Sequence, residues 1–354
     1  MSRRSIPKVM LATLTVLTVV AVALSLSGTA KSHNPFGGPL YAFGGYQIDQ
    51  RTTEVGAQWK VPVLDPSSPP NSGASTWIAV ENSQGQFIQV GTQENFGVFA
   101  TYSVFWSDVA VGFHPQFLGD ANPGNLIKFK MVQTARGWRL SFDDLTDKSS
   151  GSMRVPYGRA STFDSAQWIQ EDPGFGDNPN DHVTYPTMIA PTFQHLSVND
   201  AAPRLRKRDG FVLETNDGVI EVPTLVHDDQ FSLISATGPA RQYLRDIFPY
   251  DVALYPFQLD IFKMQSPTAR VLHKMRSTLT AFVADLRTQT WPAKDKSDVK
   301  RVEKSVSDYQ HLYAHFSVAP SSLNGAELGR LESDNRRDFG YIVKLRYALD
   351  LPPS

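Results

Sequence analysis

Apolar and polar residues alternate with a period of two along much of the first two-thirds of the chain. Val55, Ala57, Trp59 and Val61 alternate, as do Ile127, Phe129 and Met131, then Trp138, Leu140 and Phe142. This spacing predicts strands with one buried face. Phe211–Glu214 and Val219–Val222 flank Thr215-Asn216-Asp217-Gly218, and the Asp-Gly pair predicts a hairpin. Turn-rich clusters at Asp65–Ser72 and Asp120–Asn125 separate other short runs. Many short strands with frequent Gly/Pro turns predict a mainly β antiparallel sandwich over residues 41–237. Two strands carry polar residues where apolar ones are the rule. In Ala166–Asp172, Gln167, Ile169 and Glu171 point to one face and Trp168 and Gln170 to the other. In Phe87–Gly91, Gln89 interrupts an apolar run.

At Thr237-Gly238-Pro239 the period changes to that of helices. A short helical stretch is expected around Pro239–Lys263. Ser266 and Pro267 read as N-cap and first turn of the next helix, which presents Leu272, Met275, Leu279, Phe282, Val283 and Leu286 as one stripe and ends at Trp291-Pro292. Val299, Val302, Val306, Tyr309, Leu312, Tyr313 and Phe316 form another stripe, and a last helix is expected from about Leu323 to Leu349. Residues 238–354 therefore predict a small C-terminal α-helical bundle of three or four helices.

The N-terminus has the form of an export signal. Arg3, Arg4 and Lys8 precede an apolar run over residues 9–26, and Ser27-Gly28-Thr29-Ala30 suits cleavage after Ala30. Ser2–Lys8 also has a twin-arginine character. The apolar run is near the lower limit for a membrane span. Residues 1–30 are thus a signal peptide or an uncleaved N-terminal anchor, 31–40 a linker, and the rest is expected outside the cytoplasm, secreted or anchored. Cysteine is absent, which excludes disulfides, thiolate metal sites and a cysteine nucleophile. A formal net charge of −1 gives no global field for nucleic acid, and Arg204, Arg206, Lys207 and Arg208 read as a solvated loop.

A set of motifs in register adds a family. Gly45-Tyr46, Trp59-Lys60-Val61-Pro62, Trp77-Ile78-Ala79-Val80, Ile88-Gln89-Val90-Gly91, Tyr102–Trp106 and Ala166–Asp172 together resemble the glutamic peptidases, or eqolisins (peptidase A4). The resemblance covers roughly residues 36–237. It implies a concanavalin/lectin-like sandwich and a catalytic dyad of one Gln and one Glu. The Gln falls on Gln89. The Glu falls on Gln167, an amide. A water that attacks a peptide carbonyl must give its proton to a base, and an amide has no useful basicity. The dyad Gln instead donates to the oxyanion. The resemblance also implies a family Asp near the cleft where Glu81 stands, and a family Glu where Ser107 stands, with Asp108 following.

These residues imply a peptidase-like protein without the family's base. The leading expectation is a non-catalytic protein that binds an extended peptide or a cell-envelope glycan in the old cleft. The alternatives are an active acid endopeptidase with Glu81 as substitute carboxylate, and a structural envelope protein. Trp77, Glu81, Tyr102, Phe105 and Trp106 are expected around the ligand, with Gln89 and Gln167 at the dyad positions. No cofactor, metal or nucleic acid is expected, and a membrane contact only through residues 9–26. His311 and His315 share a helix face but lack a third ligand, and Asp177, Asn178, Asn180, Asp181 and His182 read as a plain polar turn.

Overall fold

A computed structural model of the chain describes residues 42–173, 183–215, 217–262, 269–318 and 340–353. The expected signal and linker, the polar turn at Asp177–His182 and the cap at Ser266-Pro267 lie outside these residues. So does most of the expected last helix, of which 340–348 is described as helical. The chain divides into two compact units between Ala236 and Thr237.

The first unit is made of strands. In chain order they are β1 (Phe43–Thr52), β2 (Glu54–Lys60), β3 (Ser72–Glu81), β4 (Phe87–Phe96), β5 (Ala100–Asp108), β6 (Gln116–Asp120), β7 (Leu126–Thr134) and β8 (Gly137–Asp144). Then follow β9 (Ser150–Val155), β10 (Phe163–Glu171), β11 (Thr192–Val198), β12 (Gly210–Phe211), β13 (Leu213–Glu214), β14 (Ile220–Pro223) and β15 (Phe231–Ser235). They form two antiparallel sheets, ordered β12-β1-β10-β3-β4-β5-β6 and β13-β14-β15-β11-β2-β7-β8-β9.

The alternating residues meet between the sheets. Ile78, Val80, Val90, Val104 and Trp168 from the first sheet pack with Trp59, Phe129, Met131, Trp138 and Phe193 from the second. Trp59 stacks on Phe129 with ring centroids 4.3 Å apart. Buried indole N–H groups favour partners, and two of them tie the layers together. Trp59 Nε1 donates across to Thr92 Oγ1 at 3.1 Å, and Trp168 Nε1 donates back to the Gly56 carbonyl at 3.0 Å.

One expected strand is two. Gly210–Phe211 pairs with β1 in the first sheet, whereas Leu213–Glu214 pairs with β14 in the second. The chain crosses between sheets at Val212, and all of Phe211, Val212, Leu213 and Glu214 are buried. A run buried on both sides carries no alternation to mark the crossing.

Gly45 explains part of the Gly45-Tyr46 motif. Its φ of +143° is one that L side chains rarely adopt, and a Cβ there would lie 2.1 Å from the Trp168 carbonyl oxygen. Gly45→Ala is therefore expected to destabilise the sandwich by more than about 2 kcal/mol, read as a lowered midpoint in denaturant with unchanged slope.

The second unit holds α1 (Gly238–Phe262), α2 (Ala269–Thr288) and α3 (Lys296–Val318). Met275, Leu279, Phe282, Val283 and Leu286 of α2 are buried, as are Val299, Val302 and Val306 of α3. Tyr243 of α1 meets Phe282 edge-on at 5.7 Å. Trp291 Nε1 donates to the Leu286 carbonyl at 2.9 Å, which satisfies one of the open carbonyls at the end of α2. No described helix is long and apolar enough to cross a membrane.

Candidate functional site

Strand register places the two glutamines. Gln47 on β1 pairs with Gln167 on β10, Gln167 with Ala79 on β3, Ala79 with Gln89 on β4, and Gln89 with Ser107 on β5. Directly paired residues project from the same side of a sheet. Gln89 and Gln167 therefore share a face, two strands and about 10 Å apart, with the small Ala79 between them. This face is turned away from the inter-sheet core. The next row on it reads Asp49, Ser165, Glu81 and Phe87. The row on the other side reads Gly45, Ile169, Trp77, Gly91 and Phe105.

Alternation separates the expected aromatic residues. Trp77 and Phe105 lie on this face, in a buried cluster with Ala79, Ile169 and Phe211 against which Phe43 and Phe87 pack. Tyr102 and Trp106 lie on the other face and pack against the inter-sheet core. They are one residue out of phase with Phe105 and Ser107, so they cannot line the same groove. Tyr102 Oη instead accepts from the Leu64 N–H at 3.1 Å.

The polar groups form two connected sets. Gln167 Nε2 donates to Gln47 Oε1 at 3.0 Å and to Glu81 Oε2 at 2.8 Å. Gln47 Nε2 donates in turn to Asp49 Oδ1 at 2.9 Å. Gln89 Nε2 donates to Ser107 Oγ at 2.7 Å. Two acceptors on this face have no partner: Glu81 Oε1 and Gln89 Oε1. Glu81 pairs with Phe87, two residues before Gln89, so Glu81 and Gln89 are diagonal neighbours with Cα atoms about 7–8 Å apart. Glu81, Gln167 and Gln89 are only 6%, 7% and 8% exposed, so the site is shielded from bulk water.

That shielding sets the charge state. Burial pushes the Glu81 carboxyl up to about 8, the hydrogen bond from Gln167 pulls it down in part, and Asp164 and Asp49 raise it further. Glu81 is therefore neutral in acid and ionises in mildly alkaline solution. Glu171, on the same face four residues beyond Gln167, is held elsewhere. Its Oε2 accepts from Ser75 Oγ at 3.0 Å and from Trp77 Nε1 at 2.6 Å. Asp108 caps the short turn Val109–Val111 by accepting from the Val111 N–H at 3.0 Å. Asp164 is exposed and lies within β10.

Sequence reasoning passed over Gln47 and Asp49. The signal was present, because β1 alternates Gly45, Gln47 and Asp49 against Tyr46 and Ile48. Nothing in one strand alone says that its polar side meets Gln167. Among the described residues, no group of three or more His, Asp or Glu side chains is arranged to hold a metal ion.

No protein-family model matches the chain, and no curated protein matches it. Among solved structures it is similar to scytalido-glutamic peptidase bound to a transition-state analogue inhibitor. The identity is 16%, over 55% of this chain and 98% of that one, with a TM-score of 0.45. It is also similar to a member of the eqolisin family of peptidases in complex with the tripeptide Ala-Ile-His. There the identity is 15%, over 55% of this chain and 98% of that one, with a TM-score of 0.42. Likeness this loose assigns no role to any residue.

Proposed function

We propose that the protein is a glutamic-peptidase-like hydrolase of peptide bonds whose base is Glu81, acting in neutral to alkaline solution. The supporting observation is the Glu81 carboxyl. One of its oxygens is held by the Gln167 amide, the other has no partner, and Gln89 is its diagonal neighbour. In this reading the carboxylate function has moved from the Gln167 position to the adjacent strand. Gln167 orients it.

The steps balance in the usual way. Ionised Glu81 takes a proton from a water, whose oxygen bonds to the scissile carbonyl carbon. The carbonyl oxygen becomes an oxyanion and accepts from the Gln89 N–H that Ser107 leaves available. The proton on Glu81 then passes to the amine nitrogen as the C–N bond breaks. In acid Glu81 keeps its proton, so on this reading hydrolysis fails in acid.

A second reading is favoured by the shielding of Gln89, Gln167 and Glu81. In it the exported protein is non-catalytic and binds an extended peptide or a cell-envelope glycan on the same face, with the helical unit as an assembly element.

The two readings are separated by incubating the full chain at pH 8 with unfolded protein substrates. Hydrolysis should appear, and Gln89→Ala should reduce it by about 10²–10³-fold, the usual effect of losing one oxyanion donor. Saturable peptide binding without cleavage at any pH would replace the first reading with the second.

A further inference from the structure

A second set of acids lies between the sheets, on the opposite side of the first sheet from the site. Glu94 on β4, Asp172 just after β10 and Glu221 on β14 are 0%, 3% and 6% exposed. Glu94 pairs with Ala74, and Glu221 pairs with Leu213. Ala74 and Leu213 form one buried cluster with Tyr185. The three acids come from both sheets, and the charge of each acts on the buried Tyr185.

Their polar atoms are not satisfied by the protein. Both Glu94 oxygens, Asp172 Oδ1, Glu221 Oε2, Tyr185 Oη and Gln170 Nε2 are buried without a hydrogen-bond partner. Buried polar groups without partners are rare in native proteins, and an isolated buried carboxylate is far costlier than a buried carboxylic acid. The charged groups that act on these side chains are themselves acids. Asp217 and the adjacent Glu171, which projects from the opposite face, raise Asp172. Glu221, Asp172 and Glu94 raise Tyr185, beside which the uncharged Gln170 amide lies outside hydrogen-bond geometry. The neighbours that act on Glu94, the Thr92 hydroxyl and its own backbone N–H, are uncharged and lie outside hydrogen-bond geometry, and burial alone acts on Glu221. No Lys or Arg is among these influences.

We propose that Glu94, Asp172 and Glu221 form a proton-dependent latch that closes one end of the sandwich when neutral and frees the β13–β14 hairpin when ionised. The hairpin is the element to yield, since its strands span only Leu213–Glu214 and Ile220–Pro223 and carry Glu221. Burial pushes Glu94 and Asp172 up to about 8 and Glu221 up to about 7. Each is raised above its unfolded value, so the folded state binds more protons than the unfolded one. The stability they confer is complete below about pH 4, the unfolded range, and is lost as pH rises through about 7–8.

The test uses the full chain. Amide hydrogen exchange, corrected for the intrinsic pH effect, is followed over residues 213–222 from pH 5 to pH 9, together with the melting temperature. Protection of the hairpin should fall by at least about tenfold per proton lost, and melting by at least about 10 °C between pH 6 and pH 9. Because Glu81 titrates in the same range, the series is repeated in Glu81→Gln. The combined variant Glu94→Gln, Asp172→Asn and Glu221→Gln should remove most of the pH dependence, and Glu221→Gln alone should remove part of it. Flat protection, or an unchanged pH dependence in either variant, would overturn the latch. So would millimolar Ca²⁺ restoring protection at pH 9 in the wild type but not in the combined variant, which would make the cluster a metal site.

Discussion

Glu81→Gln is expected to lower peptide hydrolysis at pH 8 by about 10²–10⁴-fold, the usual contribution of a positioned general base. The change replaces one carboxyl oxygen by an NH₂ at nearly constant volume. It also puts an amide where Gln167 Nε2 now donates to Glu81 Oε2 at 2.8 Å, and the new carbonyl oxygen can still accept that bond. The fold should therefore survive. Relative to wild type it should even gain stability as pH rises above the unfolded carboxyl range, about pH 4, with the gain complete above about pH 8, because a group that ionises more readily unfolded than folded is gone. Loss of activity with gain of alkaline stability separates loss of a base from general damage. Activity that persists in a folded variant would remove Glu81 from the chemistry.

The second large effect is a gain. Gln167→Glu would set a new carboxyl between two acceptors, Gln47 Oε1 and Glu81 Oε2. Two carboxyls this close share one proton, so the pair ionises first well below the range in which Glu81 ionises alone. A base then exists in acid, beside Gln89. Hydrolysis at pH 4 should rise by at least about 10²-fold over wild type and fall again when Gln89→Ala is added. The cost is the loss of a buried donor, about 1–3 kcal/mol, so the variant is checked for a native melting transition. A folded variant with no acid activity would mean that the pair cannot reach a water that also meets Gln89.

The β-sandwich and helical parts were legible because burying one face of a strand or helix leaves a period in the sequence. The alternation of Trp59, Phe129 and Trp138 with polar residues reports directly which side chains enter the core. The site was legible only within each strand. That Gln167 and Ile169 share a face follows from the pleat. That Gln167 faces Gln47 and Glu81 depends on which strands are neighbours and in what register, and neither leaves a local signal. Tyr102 and Trp106 show the converse. Their parity with Val104 and against Ser107 was present in the sequence, and it assigns them to the core once Ser107 is known to pair with Gln89. The crossing at Val212 left no trace, since both sides of that segment are buried. The inter-sheet acids also leave no local signal, because what they meet comes from a loop, as Tyr185 does, and from strands distant in sequence.

The most direct test of Glu81 as the working base is the pH dependence of kcat/KM for peptide hydrolysis by the full chain. It is measured over times short enough that unfolding does not contribute. The rate should be negligible at pH 4, rise tenfold per pH unit below the Glu81 titration and level off above about pH 8. An optimum in acid, or a rate indifferent to pH between 5 and 9, would contradict the account.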